Sequence, residues 1–202
     1  DEAYERHARL ERDQDEDIYL RDVFDRCIQI ILYGDMPEDS HPLYDASLMI
    51  HEKALPLTTV AWLKRFITVT LQHLKSTTYN LDDVADEGKD PIEVYIALRE
   101  LDCGMRPTMH LIEIANDCHL PDEVKYHPYI RSVEQPTANI GGLMNDIISY
   151  ENEVIRYGSR FNLVALLEDY RNLSFEEAVS EAVKIVNRNT EDFLERSQNI
   201  PD

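Results

Sequence analysis

The chain is short of the residues that interrupt helices and of those that cross-link them. Six glycines are spread through 202 residues, and no Gly/Ser or proline-rich stretch suggests a linker or a second domain. No internal repeat is present. Cysteine is scarce and odd in number: Cys27, Cys103 and Cys118 stand at spacings that fit no zinc site or disulfide framework. Free thiols in a reducing compartment are the expectation. Basic residues are outnumbered, with 20 Lys and Arg against 40 Asp and Glu and a net charge of -20. The densest basic stretch is Lys64-Arg65, on an otherwise apolar segment. That excludes the basic patch that nucleic acid or an anionic membrane surface would require. Long apolar runs are also missing, so no segment is expected to insert in a membrane; the stretch from Cys27 to Tyr33 is far too short to cross a bilayer. The chain opens Asp1-Glu2-Ala3-Tyr4-Glu5, which is not a secretory leader, and a cytoplasmic protein is expected. An anionic small molecule remains possible as a substrate. So acidic a protein would have to neutralise it with metal ions or a few placed arginines.

What is present is helical periodicity. Ile18, Val23, Cys27, Ile30 and Ile31 fall on one face of a helix from about residue 17 to 33, where Gly34 supplies a stop. Residues 34–56 begin as a loop, marked by Pro37 and Pro42, and recover a short helix. A longer helix from about 58 to 78 carries Val60, Leu63, Ile67, Leu71 and Leu74 as its stripe. Asp90-Pro91-Ile92-Glu93 reads as a capping box with proline at the first helical position, opening a helix through Leu101. Ser174-Phe175-Glu176-Glu177 reads as a second capping box, for a helix to about Arg196. No stretch alternates with period two. The fold class is all-α.

The segment Asn145-Asp146-Ile147-Ile148-Ser149-Tyr150-Glu151-Asn152-Glu153 carries the clearest chemical signal. On an α-helix, positions four apart drift by only ~40° per step, which lines up Asn145, Ser149 and Glu153. A carboxamide oxygen, a hydroxyl and one carboxylate are hard donors suited to Mg²⁺. One negative charge leaves the cation net positive and able to grip an anion. The alternative is a solvated helix face.

A helix break lies upstream. Gly104 permits a deviating backbone, and Pro107 offers no N–H to the carbonyl of Cys103. A helix end there would expose its negative dipole end, and negative ends without nucleophilic side chains are what a carbocation tolerates.

Together these features resemble the class I terpene synthases, and microbial, fungal-type sesquiterpene synthases in particular. The N-D-x-x-S-x-x-x-E run is similar to that family's second metal motif, so the resemblance implies that Asn145, Ser149 and Glu153 hold one magnesium of three. The family also places a diphosphate-sensing arginine 46 positions before the motif's Asn, which here is Arg99. Asp102 and Cys103, followed by Gly104, would then be the linker and the effector carbonyl of its kinked helix. Many relatives carry a diphosphate-binding lysine before the final glutamate. Asn152 stands there, which leaves Arg156, one turn on, to take over that contact. The first, aspartate-rich metal motif corresponds to Asp1 and Glu5, 98 positions before Arg99. A better textual match, Asp82-Asp83-Val84-Ala85-Asp86, lies too close to Arg99 to face it across a cavity and reads as an acidic loop.

The implied protein is an antiparallel helical bundle around a central active-site cavity. It would ionise an isoprenoid diphosphate, farnesyl diphosphate first, and cyclise the allylic cation beside aromatic faces. Candidates for those faces are Tyr4, Phe66, Tyr79, Tyr95 and Tyr150, each of which could equally be plain core. The resemblance covers residues 1–202 but only the middle of the family's fold. In relatives several helices precede the first motif, and an Arg-Tyr pair follows the last helix. A homodimer is compatible with the family. Two other classes stay open: a magnesium-dependent prenyl diphosphate synthase, which uses two aspartate-rich motifs, and an acidic helical interaction module.

Overall fold

Every regular element among the described residues is helical, as the periodicity of the apolar positions requires. The computed structural model of the chain describes residues 14–78 and 88–199. The helices are α1 (Gln14–Tyr33), α2 (Pro42–Ala54), α3 (Val60–Ser76), α4 (Pro91–Asp102), α5 (Met105–Ala115), α6 (Asp122–Lys125), α7 (Pro128–Tyr150), α8 (Leu163–Arg171) and α9 (Phe175–Ser197). None of them is long and apolar enough to cross a membrane. They group into two compact units, residues 14–78 with 106–126 and residues 88–105 with 127–199.

In the first unit α1 ends where expected. Gly34 takes a left-handed φ of 76° and donates its N–H to the Ile30 carbonyl at 2.8 Å. Val23, Cys27, Ile30 and Ile31 are buried. Ile18 and Val60, which the pattern also assigns to the core, are 58% and 67% exposed. Both stand near the N-terminal ends of their helices, ahead of the packed stretch. Thr59 caps α3 by accepting from the Trp62 N–H at 3.1 Å. Trp62, Leu63 and Ile67 then pack with Ile28 and Ile31 of α1, and the Trp62 indole donates to the His110 carbonyl at 3.0 Å. Arg65 is not part of a surface basic patch. It is buried, and pairs with Glu113 at 2.9 Å and with Asp122.

The second unit is built on α4, α7, α8 and α9. Asp90 caps α4 by accepting from the Ile92 N–H, with Pro91 at the first helical position, and not through the Glu93 N–H that a capping box would use. Ser174 and Glu177 form the reciprocal capping box at the start of α9. Tyr95, Leu143, Val164, Leu167, Ala178 and Ala182 form the centre of its core.

Two other local features differ from the sequence-based expectation. The break after α4 belongs to Gly104, whose φ of 70° is left-handed. Pro107 falls in the first turn of α5, where the backbone N–H has no intrahelical partner in any case. Proline is therefore tolerated there and does not make the break. Further on, α7 does not continue as an α-helix through Glu153. From Glu151 to Arg156 it widens into a π-helix.

Candidate functional site

Arg99 sits in the last turn of α4 and is almost fully buried, at 2% exposure. Its three nitrogens serve three different side chains. Nε donates to Asp146 Oδ1 at 2.9 Å, one terminal nitrogen to Asp102 Oδ2 at 3.1 Å, and the other to Asn145 Oδ1 at 2.9 Å. The planar fork of a guanidinium suits three acceptors in a fixed arc, which a lysine could not match. Residues 46 positions apart in the chain are thus in direct contact.

That contact depends on close helix packing. A Cβ added at Gly142 of α7 would lie 2.9 Å from the Cys103 Cβ and 3.4 Å from the Arg99 Cγ. Glycine at this position lets the end of α4 come down onto α7.

Asp146, wholly buried, is the hub of this cluster. Besides Arg99 it accepts from the Tyr95 hydroxyl at 2.6 Å and from the Leu163 N–H at the start of α8 at 3.1 Å. Burial pushes the Asp146 carboxyl pKa up, against the pull of Arg99, the Tyr95 hydroxyl and the Leu163 amide. Burial works against the Arg99 charge as well, but Tyr95, Asp146 and Asp102 outweigh it and hold that pKa above its ordinary value. The Cys103 thiol is pushed up by burial, and it points its weak donor at the Glu100 and Ala138 carbonyls.

The Asn145, Ser149 and Glu153 stripe leads away from this cluster. Asn145 is exposed, Ser149 is half-buried and Glu153 is 4% exposed. The Ser149 hydroxyl donates to the Asn145 carbonyl at 2.7 Å, leaving its lone pairs as acceptors. The π turn alters the geometry of the stripe. An i→i+5 turn holds more residues than an α turn, so the rotation from Ser149 to Glu153 is smaller than a continuous α-helix would give. Asn162, the cap of α8, donates Nδ2 to Glu153 Oε2 at 3.2 Å. A carboxamide oxygen, a hydroxyl and one carboxylate are donor types that fit a hard divalent cation that keeps other oxygen ligands. Among the described residues no three His, Cys, Asp or Glu side chains gather into a denser metal site.

Other residues named from the sequence are dispersed. Arg156 is exposed at the end of the π segment, with its guanidinium 5.6 Å from the ring centroid of Tyr157. Tyr95 is fully buried, edge-on to Phe161, and Tyr150 is buried with its hydroxyl on Glu168 at 2.7 Å. Burial, reinforced by Glu168, pushes the Tyr150 pKa up to about 12. Phe66 belongs to the first unit and stacks on Trp62 at 4.9 Å. Asp1, Glu5, Tyr4, Tyr79 and the Asp82–Asp86 run lie outside the described residues.

Two residues of this site carry roles that the motif does not assign. Asp146 has a sequence signal: it sits on the apolar stripe Leu143, Asp146, Tyr150, where a lone carboxylate implies a buried partner. Asn162 has one too, as an asparagine directly before the apolar run Leu163–Leu167.

A family model described as "Terpene synthase family 2, C-terminal metal binding" matches residues 1–192, across both units. The Delta(6)-protoilludene synthase of Stereum hirsutum is 30% identical over 138 residues, which cover 68% of this chain and 37% of that protein. A sesquiterpene synthase of Cyclocybe aegerita is likewise 30% identical over 138 residues, covering 68% of this chain and 40% of its own length. Among solved structures, a-eudesmol synthase superposes with a TM-score of 0.77 at 23% identity, over 92% of this chain and 60% of that one. The chain therefore spans about two fifths of the curated fungal relatives that it matches. At 23% identity the structural likeness shows the fold.

Proposed function

The chain belongs to terpene synthase family 2 and has the all-α class I terpenoid synthase fold, and on that premise we propose that it carries the metal-binding part of a magnesium-dependent cyclase. The substrate is an isoprenoid diphosphate, farnesyl diphosphate in the first instance, and the product a sesquiterpene. The contact between Arg99 and Asn145 is the observation that carries this reading. It couples an arginine suited to diphosphate with a helix of hard oxygen donors. The fungal relatives named as sesquiterpene synthases support the same substrate class.

Asn145, Ser149 and Glu153 would hold magnesium, with Asp1 and Glu5 as the opposing set of a three-ion cluster. When bound there, the metal supplies Lewis acidity toward the charge that develops on a diphosphate leaving group. The chain's own residues prepare the site. Asp146 and Asp102 fix the Arg99 guanidinium, and Arg99 in turn orients the Asn145 carboxamide so that its oxygen faces one direction. Two carboxylates around one guanidinium leave this cluster net negative. Arg99 alone therefore cannot neutralise a diphosphate, which argues for metal ions as the main counter-charge. Arg156, exposed at the end of the π segment, is a second candidate to reach the diphosphate. The Cys103 carbonyl, at the end of α4 beside Gly104, would be the dipole offered to the cation.

The test is turnover of farnesyl diphosphate by the full-length protein with Mg²⁺, with and without isopentenyl diphosphate, followed by product analysis. Cyclised hydrocarbon or alcohol is expected in both cases. Chain-elongated diphosphate would assign the protein to the prenyl diphosphate synthases, and no conversion of any isoprenoid diphosphate would overturn the enzymatic reading.

A further inference from the structure

We propose that Asn162 is a positioning residue for the Glu153 carboxylate, bracing the metal stripe from outside the motif. The inference rests on the metal reading of that stripe. Asn162 lies at the first turn of a different helix, nine positions beyond Glu153, and it is wholly buried. Each of its polar atoms has a distinct task. Oδ1 accepts from the Val164 N–H at 3.0 Å and caps α8. Nδ2 donates both to Glu153 Oε2 at 3.2 Å and to the main-chain carbonyl of Asp146 at 2.8 Å.

One amide group thus ties together two points of the α7 segment that lie on either side of the change from α to π geometry. Asp146 is the neighbour of Asn145 at the start of the stripe, and Glu153 is its end. A glutamate has three side-chain torsions, and on an open helix face its carboxylate would sample several rotamers. The Nδ2 contact holds one oxygen in place. The contact to the Asp146 carbonyl fixes the distance between that carboxylate and the Asn145 turn. Groups that orient a metal ligand in this way affect metal affinity by about 10–100-fold when removed.

The substitution that isolates this role is Asn162→Ser. Serine caps a helix about as well as asparagine but is too short to reach Glu153. Asn162→Thr is the second variant, a somewhat weaker cap with more volume. Ser174→Ala serves as a control, because it damages the cap of α9 without touching the stripe. Mn²⁺ binding to the full-length protein is read by electron paramagnetic resonance in the presence of inorganic diphosphate, with far-UV circular dichroism on every sample. The expected result is Mn²⁺ affinity about 10–100-fold weaker for Asn162→Ser and Asn162→Thr, with helix content retained and Ser174→Ala binding as the unaltered protein does. Unchanged affinity in the two Asn162 variants overturns the inference. So does an equal loss in Ser174→Ala, or loss of helix content in both Asn162 variants, since either would make the residue structural only. Failure of the metal reading itself looks different: the unaltered protein would bind no Mn²⁺ with diphosphate, or Glu153→Gln would bind it undiminished, and the bracing role would fall with it.

Discussion

Replacing Arg99 by alanine should expose how the site is held together, because the deficit should depend on pH. The Arg99 side chain is 3% exposed, and its ion-pair partners Asp102 and Asp146 are 2% and 0% exposed. Truncation to alanine leaves two buried carboxylates facing each other's charge with no cation. Removing one partner of a buried pair costs about 3–5 kcal/mol. For a domain of 150–250 residues that corresponds to a fall in Tm of roughly 6–20 °C. In the variant, the stranded carboxyls have pKa values raised above their unfolded value of about 3.9, so the folded state gains by keeping them protonated. Stability relative to the parent protein is then regained as pH falls, and lost again as pH rises through the raised values. Thermal melts of both proteins at steps between about pH 7 and pH 4 should show the gap narrowing toward the acid end. Loss of packing volume alone would give a gap that does not move with pH. Arg99→Lys keeps the charge but replaces three nitrogens by one, so at least one of the three acceptors is stranded. A loss of about 1.5–3 kcal/mol is expected there. An alanine variant that melts within about 1 kcal/mol of its parent, or a gap constant across this range, would refute a charge-held cluster.

Three other outcomes follow from the same geometry. Glu153→Gln should abolish turnover at limiting Mg²⁺ while helix content stays the same, and undiminished activity would show that the Glu153 carboxylate holds no metal. Gly142→Ala forces a Cβ to within 2.9 Å of the Cys103 Cβ, at a cost of about 1–3 kcal/mol. Pushing the end of α4 away from α7 should also change the ratio of products seen by gas chromatography, and unchanged melting and products would deny the close approach. Tyr150 should ionise well above the ordinary tyrosine value, near about 12. Because the folded pKa lies above the unfolded one, its stabilising contribution is whole below about pH 10 and lost between there and about pH 12. Absorbance at alkaline pH should lose a component near that value in Tyr150→Phe.

Much of this architecture could be read from the order of residues, and the parts that could not share a physical cause. Caps and stops are local: Ser174 with Glu177, Asp90 with Pro91, and Gly34 each act within a few residues, and each stands where the pattern puts it. That Arg99 and Asn145 belong to one site was legible through the family resemblance, which sets them 46 positions apart; their direct contact is seen in the fold. What the same spacing does not carry is the company Arg99 keeps. A surface arginine and a buried one are written identically. Only the third dimension adds Asp146 on α7 and shows that Asp102 is buried rather than solvated. The π turn was hidden for a related reason. Widening from i→i+4 to i→i+5 bonds leaves the residue types unchanged, so an α-helical reading of Asn145, Ser149 and Glu153 passes straight through it. Gly104 and Pro107 show the converse, two helix breakers of which one makes the break and the other merely tolerates it. In each case the undetected feature is a long-range partner or a change of helical register at the stripe itself. These are the features that turn a run of plausible ligands into a single arrangement. Asn162 combines both, since it reaches back across the π turn from a helix that no motif includes. A site of this kind is specified partly by residues whose types look like ordinary capping, and they are found by asking where every buried polar atom sends its hydrogen bond.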